Sequence, residues 1–175
     1  MTMFVAVNQA FFMSLFFFVS AFFTSKSLLK KGAAAFVRDR LMRLAIPLLV
    51  YFFTLNPSVM YLVFRFTGRT DAGYFAFMAD GGWKYASPGP MWFVLALLIF
   101  TAVYLAVGAL PRGGEGRRMP LPGNRAVFGF IVLAGAVTFL VRLVWPLGTE
   151  ILNLQFGYFP LYVFMFVFGI LAEKH

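Results

Sequence analysis

The sequence predicts an all-α fold, a polytopic transmembrane helix bundle with about five membrane-spanning helices, and three observations carry that reading. Hydrophobic residues make up 62% of the chain, aromatic residues 20% and charged residues only 12%, whereas soluble domains are nearer half apolar and a quarter charged. The apolar residues fall into uncharged runs of about 20, the length that crosses a hydrocarbon core of roughly 30 Å. The 15 Lys and Arg residues lie almost entirely between those runs. Phe alone supplies 25 of the 175 residues, more than one soluble core of this size can bury, so lipid is the expected solvent for that surface.

The runs place the helices within a single, partial membrane domain, 1–175. The first covers residues 3–24, where the polar side chains are few: Asn8, Gln9, Ser14, Ser20 and Thr24. The second, 44–64, has Pro47 in its expected first turn, where proline is tolerated, and Pro57 deeper, where a kink is expected. The third, 90–110, stops at Pro111. The fourth, 126–147, is interrupted late by Arg142, and the fifth, 151–172, contains Pro160. Between the first two, residues 33–43 read as a separate interfacial helix, with Phe36, Val37 and Leu41 available for the bilayer surface.

Orientation follows from the Lys and Arg of each connection, because cytoplasmic loops carry the excess. Lys26, Lys30, Lys31, Arg38, Arg40 and Arg43 lie in the first connection, Arg112, Arg117, Arg118 and Arg125 in the third, and Lys174 at the end. On the other side the loops hold Arg69 and Lys84. The expected arrangement is a multi-pass protein of the cell or inner membrane, with its N-terminus outside and its C-terminus cytoplasmic. An outside N-terminus with no preceding helix, and an end directly after a spanning run, make a missing upstream helix and a missing downstream part the expectation.

The net charge of +9 does not point to nucleic acid, since it is distributed as cytoplasmic loops facing anionic lipid require. The chain contains no cysteine, which excludes disulfides, thiol catalysis and thiolate-bound metal. His175 is the one histidine and the last residue, without a neighbour in sequence to tune it. Asp39 has Arg43 at helical spacing as its charge partner, and Glu150 is placed to pair with Arg142 near the outer surface. No catalytic residue, metal site or bound cofactor is expected in the chain.

The order of short motifs is more specific than the composition. Phe16-Phe17-Phe18-Val19-Ser20-Ala21-Phe22-Phe23 is followed by Arg38-Asp39-Arg40-Leu41-Met42-Arg43-Leu44-Ala45-Ile46-Pro47. This order resembles the acyltransferase-3 family of integral membrane acyltransferases, in which a Phe-Phe-x-x-Ser-Gly helix precedes a cytoplasmic Arg-x-x-Arg and an Ile-Pro helix start. Asn8-Gln9-Ala10-Phe11-Phe12-Met13, Gly89-Pro90-Met91-Trp92-Phe93-Val94 and Gly157-Tyr158-Phe159-Pro160-Leu161-Tyr162 ahead of Gly169 are similar to the same family. Ala21 stands where the family has Gly, a small-for-small exchange at a close helix contact. The family's first helix, with its Arg and catalytic His, has no counterpart here.

The resemblance implies transfer of an acyl group such as acetyl or succinyl from acyl-CoA to a hydroxyl of a sugar or another membrane-associated acceptor. The implied partners are membrane lipids, acyl-CoA as donor and a carbohydrate or lipid-linked acceptor, with no nucleic acid. It places substrate binding at Arg40, Arg43, Ser20 and Trp92. Arg40 and Arg43, three residues apart on a helix, suit the phosphates of coenzyme A through forked, charge-assisted bonds. A hydroxyl needs a positioned base as it attacks a thioester, and without one the chain alone is expected to be inactive. Two other readings remain open: part of a polysaccharide or lipid exporter, with Ser20, Asn56, Asn153 and Gln155 along a polar path, or a non-catalytic structural membrane protein.

The charge count has a direct test. Single cysteines at Ser27 and Gly114 should be shielded from an impermeant thiol reagent in intact cells, and single cysteines at Gly81 and Thr149 labelled; the reverse pattern overturns the orientation.

Overall fold

The computed structural model describes residues 2–108, 123–146 and 149–172. Arg112, Arg117, Arg118, Lys174, His175 and most of the third connection lie outside the described residues, as does the Glu150 side chain. The described residues are helical almost throughout. Among the described residues, four helices are long and apolar enough to cross a membrane: residues 10–28, 33–66, 89–108 and 124–144. Two compact units divide the chain: residues 1–36, 99–150 and 155–175 form one, and residues 37–98 and 151–154 the other.

In the first unit, α1 (Thr2–Lys31) runs past the expected end at residue 24. Charged residues end an apolar run but not a helix, and Lys30 and Lys31 sit favourably in its last turn. Two of its polar side chains are satisfied locally: Ser14 Oγ donates to the Ala10 carbonyl and Thr24 Oγ1 to that of Ser20 at 2.6 Å. Such back-bonding suits hydrocarbon, where no water is available.

α1 packs closely on the last helix, α6 (Phe159–Ala172). A Cβ on Gly169 would overlap the Phe18 carbonyl oxygen and lie 2.9 Å from the Ala21 Cβ, so only glycine fits this crossing. Around it the core is aromatic. Phe17, fully buried, stacks on Tyr162 with centroids 4.9 Å apart and tilts against Phe100 at the same separation. Phe168 lies between Phe18 and Phe130, at 5.6 and 5.3 Å. Phe100 belongs to α4 (Trp92–Gly108) and Phe130 to α5 (Asn124–Val144).

The fifth apolar run departs from expectation. Instead of a helix from residue 151, a two-stranded hairpin pairs β1 (Glu150–Ile151) with β2 (Leu154–Gln155), and a 3₁₀ turn (Phe156–Tyr158) leads into α6. Leu152 and Asn153, with φ of 52° and 60°, make the two-residue turn that hairpins require, and Asn tolerates that conformation. Among the described residues, four helices of spanning length and a shorter fifth are consistent with the expected all-α membrane bundle. The 14 residues of α6 span only about 21 Å.

The expected interfacial helix, most of it in the second unit, is not separate. Residues 33–66 form one helix, α2, of 34 residues, about 51 Å long. Pro47 is consequently an interior residue, not a first-turn one. Two π turns interrupt α2, Leu41–Ala45 and Tyr51–Leu55, and each ends two residues before a proline. Proline lacks an N–H, and its ring clashes with the carbonyl four residues back, here those of Arg43 and Phe53. Both lie at the middle of a π turn, which widens the helix where the ring needs room. The backbone instead closes five-residue bonds, Ile46 N–H to the Leu41 carbonyl and Asn56 N–H to that of Tyr51.

Replacing Gly169 by Ala should lower stability by about 1–3 kcal/mol, the usual cost of overpacking, read as a fall in the thermal unfolding midpoint in detergent. Gly135→Ala on α5, where a Cβ meets nothing within 4 Å, is the control and should be neutral or mildly stabilising. Equal midpoints for parent and Gly169→Ala would remove the close crossing.

Candidate functional site

Of the four residues expected to bind substrate, three lie in the second unit and one in the first. Arg40 closes the first α-helical stretch of α2 (Ala33–Arg40) and is half-buried. Arg43 sits inside the following π turn, its side chain 77% exposed and 4.0 Å from the Asp39 carboxylate. The expected Asp39–Arg43 pair therefore forms, and its exposure makes it worth little in stability. The two arginines differ in environment because the π turn changes the angular step between them: one is packed and the other open to solvent or headgroups.

Trp92 opens α4, half-buried, with its ring edge-on to Phe93 at 6.4 Å. The start of α4 is pinned. Ser87 Oγ donates to Asn153 Oδ1 at 2.9 Å and accepts the Gly89 N–H at 3.1 Å. Gly89 has φ of +45°, and a Cβ there would lie 2.9 Å from Tyr51 Oη. The Gly-Pro-Met-Trp sequence thus needs its glycine both for conformation and for the approach of α2. Asn56 Nδ2 donates to the Tyr85 carbonyl at 2.8 Å, so Asn56 and Asn153 brace loops, which argues against their lining an export path. Ser20, in the first unit, is half-buried, and its carbonyl receives Thr24.

Sequence reasoning missed a cleft at the other end of α2. The connection after α2 folds into α3 (Tyr74–Ala79), a 3₁₀ turn (Gly82–Tyr85) and a second one (Gly89–Met91). With the last residues of α2, the first two of these line an open cavity of about 350 Å³. Its walls are Phe64, Phe77 and Tyr85, with Phe77 and Tyr85 nearly parallel at 6.0 Å. Arg69 lies over Phe64 at 5.7 Å and Lys84 over Tyr85 at 5.1 Å, cation–π seats that hold both charges at the lining. Asp80 also lines it. Asp71 stands apart, bound by Arg65 at 3.1 Å. From Arg43 to Phe64 the helix rises about 32 Å without a charged side chain, close to one hydrocarbon thickness. The arginines and the cleft therefore occupy opposite boundaries of one span.

In the first unit Arg142 is held rather than loose. Its Nε donates to the Gly157 carbonyl at 3.1 Å, and its guanidinium lies over Tyr158 at 5.0 Å. These contacts satisfy a charge close to the apolar run, as lipid surroundings demand.

The acyltransferase-3 family model, described as an acyltransferase domain, matches residues 1–175. Searches of the curated proteins and of the solved structures find no match. The chain belongs to the acyltransferase-3 family and is an integral membrane protein of the acyltransferase class.

The cleft depends on Gly82, where a Cβ would come within 2.8 Å of the Phe77 ring and 2.9 Å of its carbonyl oxygen. Gly82→Ala should loosen residues 74–86, speeding their amide exchange about tenfold for a cost near 1.4 kcal/mol. Gly73→Ala, which meets nothing within 4 Å, should not, and equal exchange in both variants would contradict the wall contact.

Proposed function

We propose that this chain takes part in moving an acyl group, such as acetyl or succinyl, from a cytoplasmic acyl-CoA to a hydroxyl of a sugar or another membrane-associated acceptor, with Arg40 and Arg43 receiving the donor. The observation that carries the reading is the match to the family over residues 1–175 together with the place of the two arginines, at one end of an uncharged span. Acyl-CoA is a soluble, phosphate-rich donor and meets the protein at a boundary, not in hydrocarbon. The open Arg43 suits capture of a phosphate, and the packed Arg40 suits a fixed, forked bond to a second one. The Lys and Arg distribution puts that boundary on the cytoplasmic side, where acyl-CoA is made.

Trp92 and Ser20 belong to the same proposal with smaller roles. An indole at a membrane boundary offers a face for a sugar ring, and the Ser20 hydroxyl offers a short polar contact within an apolar helix. The exporter reading loses support because Asn56 and Asn153 already hold loop groups.

The test separates charge from geometry. Arg40→Lys and Arg43→Lys keep the positive charge and lose the planar fork, so insertion should be unchanged. A charge-assisted bond contributes roughly 1.5–3 kcal/mol, so the Kd for acetyl-CoA, measured by calorimetry on the purified protein, should rise about tenfold or more in each variant. If both lysine variants bind as the parent does, the pair only sets topology and the donor assignment fails.

A further inference from the structure

We propose that the cleft at the end of α2 binds the headgroup of a membrane amphiphile through two points: a phosphoryl group on Arg69 and Lys84, and a hydroxyl beside it that donates to Asp80. The inference stands on the second unit alone and does not need the donor assignment.

Three features of the cleft fix this chemistry. The first is charge. Arg69 and Lys84 bring two cations against the single carboxylate of Asp80, and the neighbouring Asp71 is already bound to Arg65. An anion is therefore favoured, and a tetrahedral phosphoryl group can accept from a guanidinium and an ammonium together. The second is Asp80, which would repel a bare anion. A ligand that fills the cleft must also carry a hydrogen-bond donor, and a hydroxyl next to the phosphate supplies one without adding charge. The third is place. Phe64, the last residue of the uncharged run, is part of the wall. Phe66 and Phe75, on the elements that form the cleft, are 87% and 85% exposed, and Trp83 53%. Aromatic side chains so exposed belong in the headgroup layer, which puts the cavity where lipid phosphates lie. About 350 Å³ falls at the lower end of small-molecule sites, enough for a glycerol- or sugar-phosphate headgroup with its tails left in the bilayer.

The same chemistry is carried by a phospholipid with a polyol headgroup, by a lipid-linked sugar phosphate, or by a soluble sugar phosphate, and the experiment separates lipid from soluble sources. The purified protein in mixed micelles is titrated with phosphatidylglycerol, with phosphatidylmethanol (equal charge, no hydroxyl) and with soluble glycerol 3-phosphate, by calorimetry. Phosphatidylglycerol should bind about tenfold tighter than phosphatidylmethanol, and the soluble compound more weakly than either. Asp80→Ala should abolish the difference between the two lipids. The double variant Arg69→Gln, Lys84→Gln should weaken both by tenfold or more, with its thermal midpoint confirming that it folds. Equal affinity of the parent for the two lipids, a measurement that needs no variant, would overturn the two-point site. Unchanged binding by a folded double variant would overturn it as well, leaving only lipid that coats any membrane helix. Binding of glycerol 3-phosphate as tight as that of phosphatidylglycerol would overturn the membrane source.

Discussion

Apolar side chains gain nothing by leaving lipid for one another, so helices in a bilayer associate through close packing and the polar contacts it permits. In the first unit that packing turns on Gly169. Because residue 169 has no side chain, the backbone of α1 at Phe18 reaches α6, and Ala21 fits beside it. The ring contacts follow from that approach: Phe17 on Tyr162 and Phe100, and Phe168 between Phe18 and Phe130. Aromatic rings hold such an arrangement well, since edge and face contacts add to dispersion in any solvent. The abundance of Phe is thus a packing device on the inner faces as well as a lipid-facing surface, where Phe11, Phe16 and Phe23 remain exposed.

The second unit answers a different demand, the satisfaction of backbone groups where water is missing. Two prolines within one span would leave two carbonyls crowded, and the π turns relieve both while the helix continues. That continuity places Arg40 and Arg43 one hydrocarbon thickness from the aromatic cleft. Ser87, Gly89 and Asn153 join the loop after the cleft to the start of α4, which fixes where Trp92 emerges.

Apolar runs were legible in the sequence because the bilayer sets their length, and four of them are helices of spanning length. Their ends were not. Lys26, Lys30 and Lys31 mark the end of the apolar stretch, yet lysine is a good helix former and α1 continues through them. Gly32, with φ of 77°, is the one break before α2, and the basic stretch after it reads equally as an interfacial helix or as the outer end of a span. Residues 151–158 are apolar enough to pass as helix, and their turn depends on backbone conformation at Leu152 and Asn153, which hydrophobicity does not register. Arg40 and Arg43 stood out through their order among other motifs. The cleft was hidden because Phe64, Arg69, Asp80 and Lys84 are scattered over 21 residues, from the end of α2 through the loop after it, whose aromatics resemble any interfacial belt; the Gly81-Gly82 pair, and Lys84 between Trp83 and Tyr85, were the available signals.

The π turns also bear on how the length of α2 can vary. Each turn holds one residue more than the α-helical ladder uses, and that residue shifts every later side chain around the axis by about 100°. The helix therefore consists of three stretches with separate faces, Ala33–Arg40, Ile46–Val50 and Asn56–Phe66. A residue lost within 41–45 or 51–55 could be absorbed by reverting to the narrower turn, but only by swinging one stretch relative to the next. Related chains one residue shorter there would keep a continuous span and present their arginines in another direction.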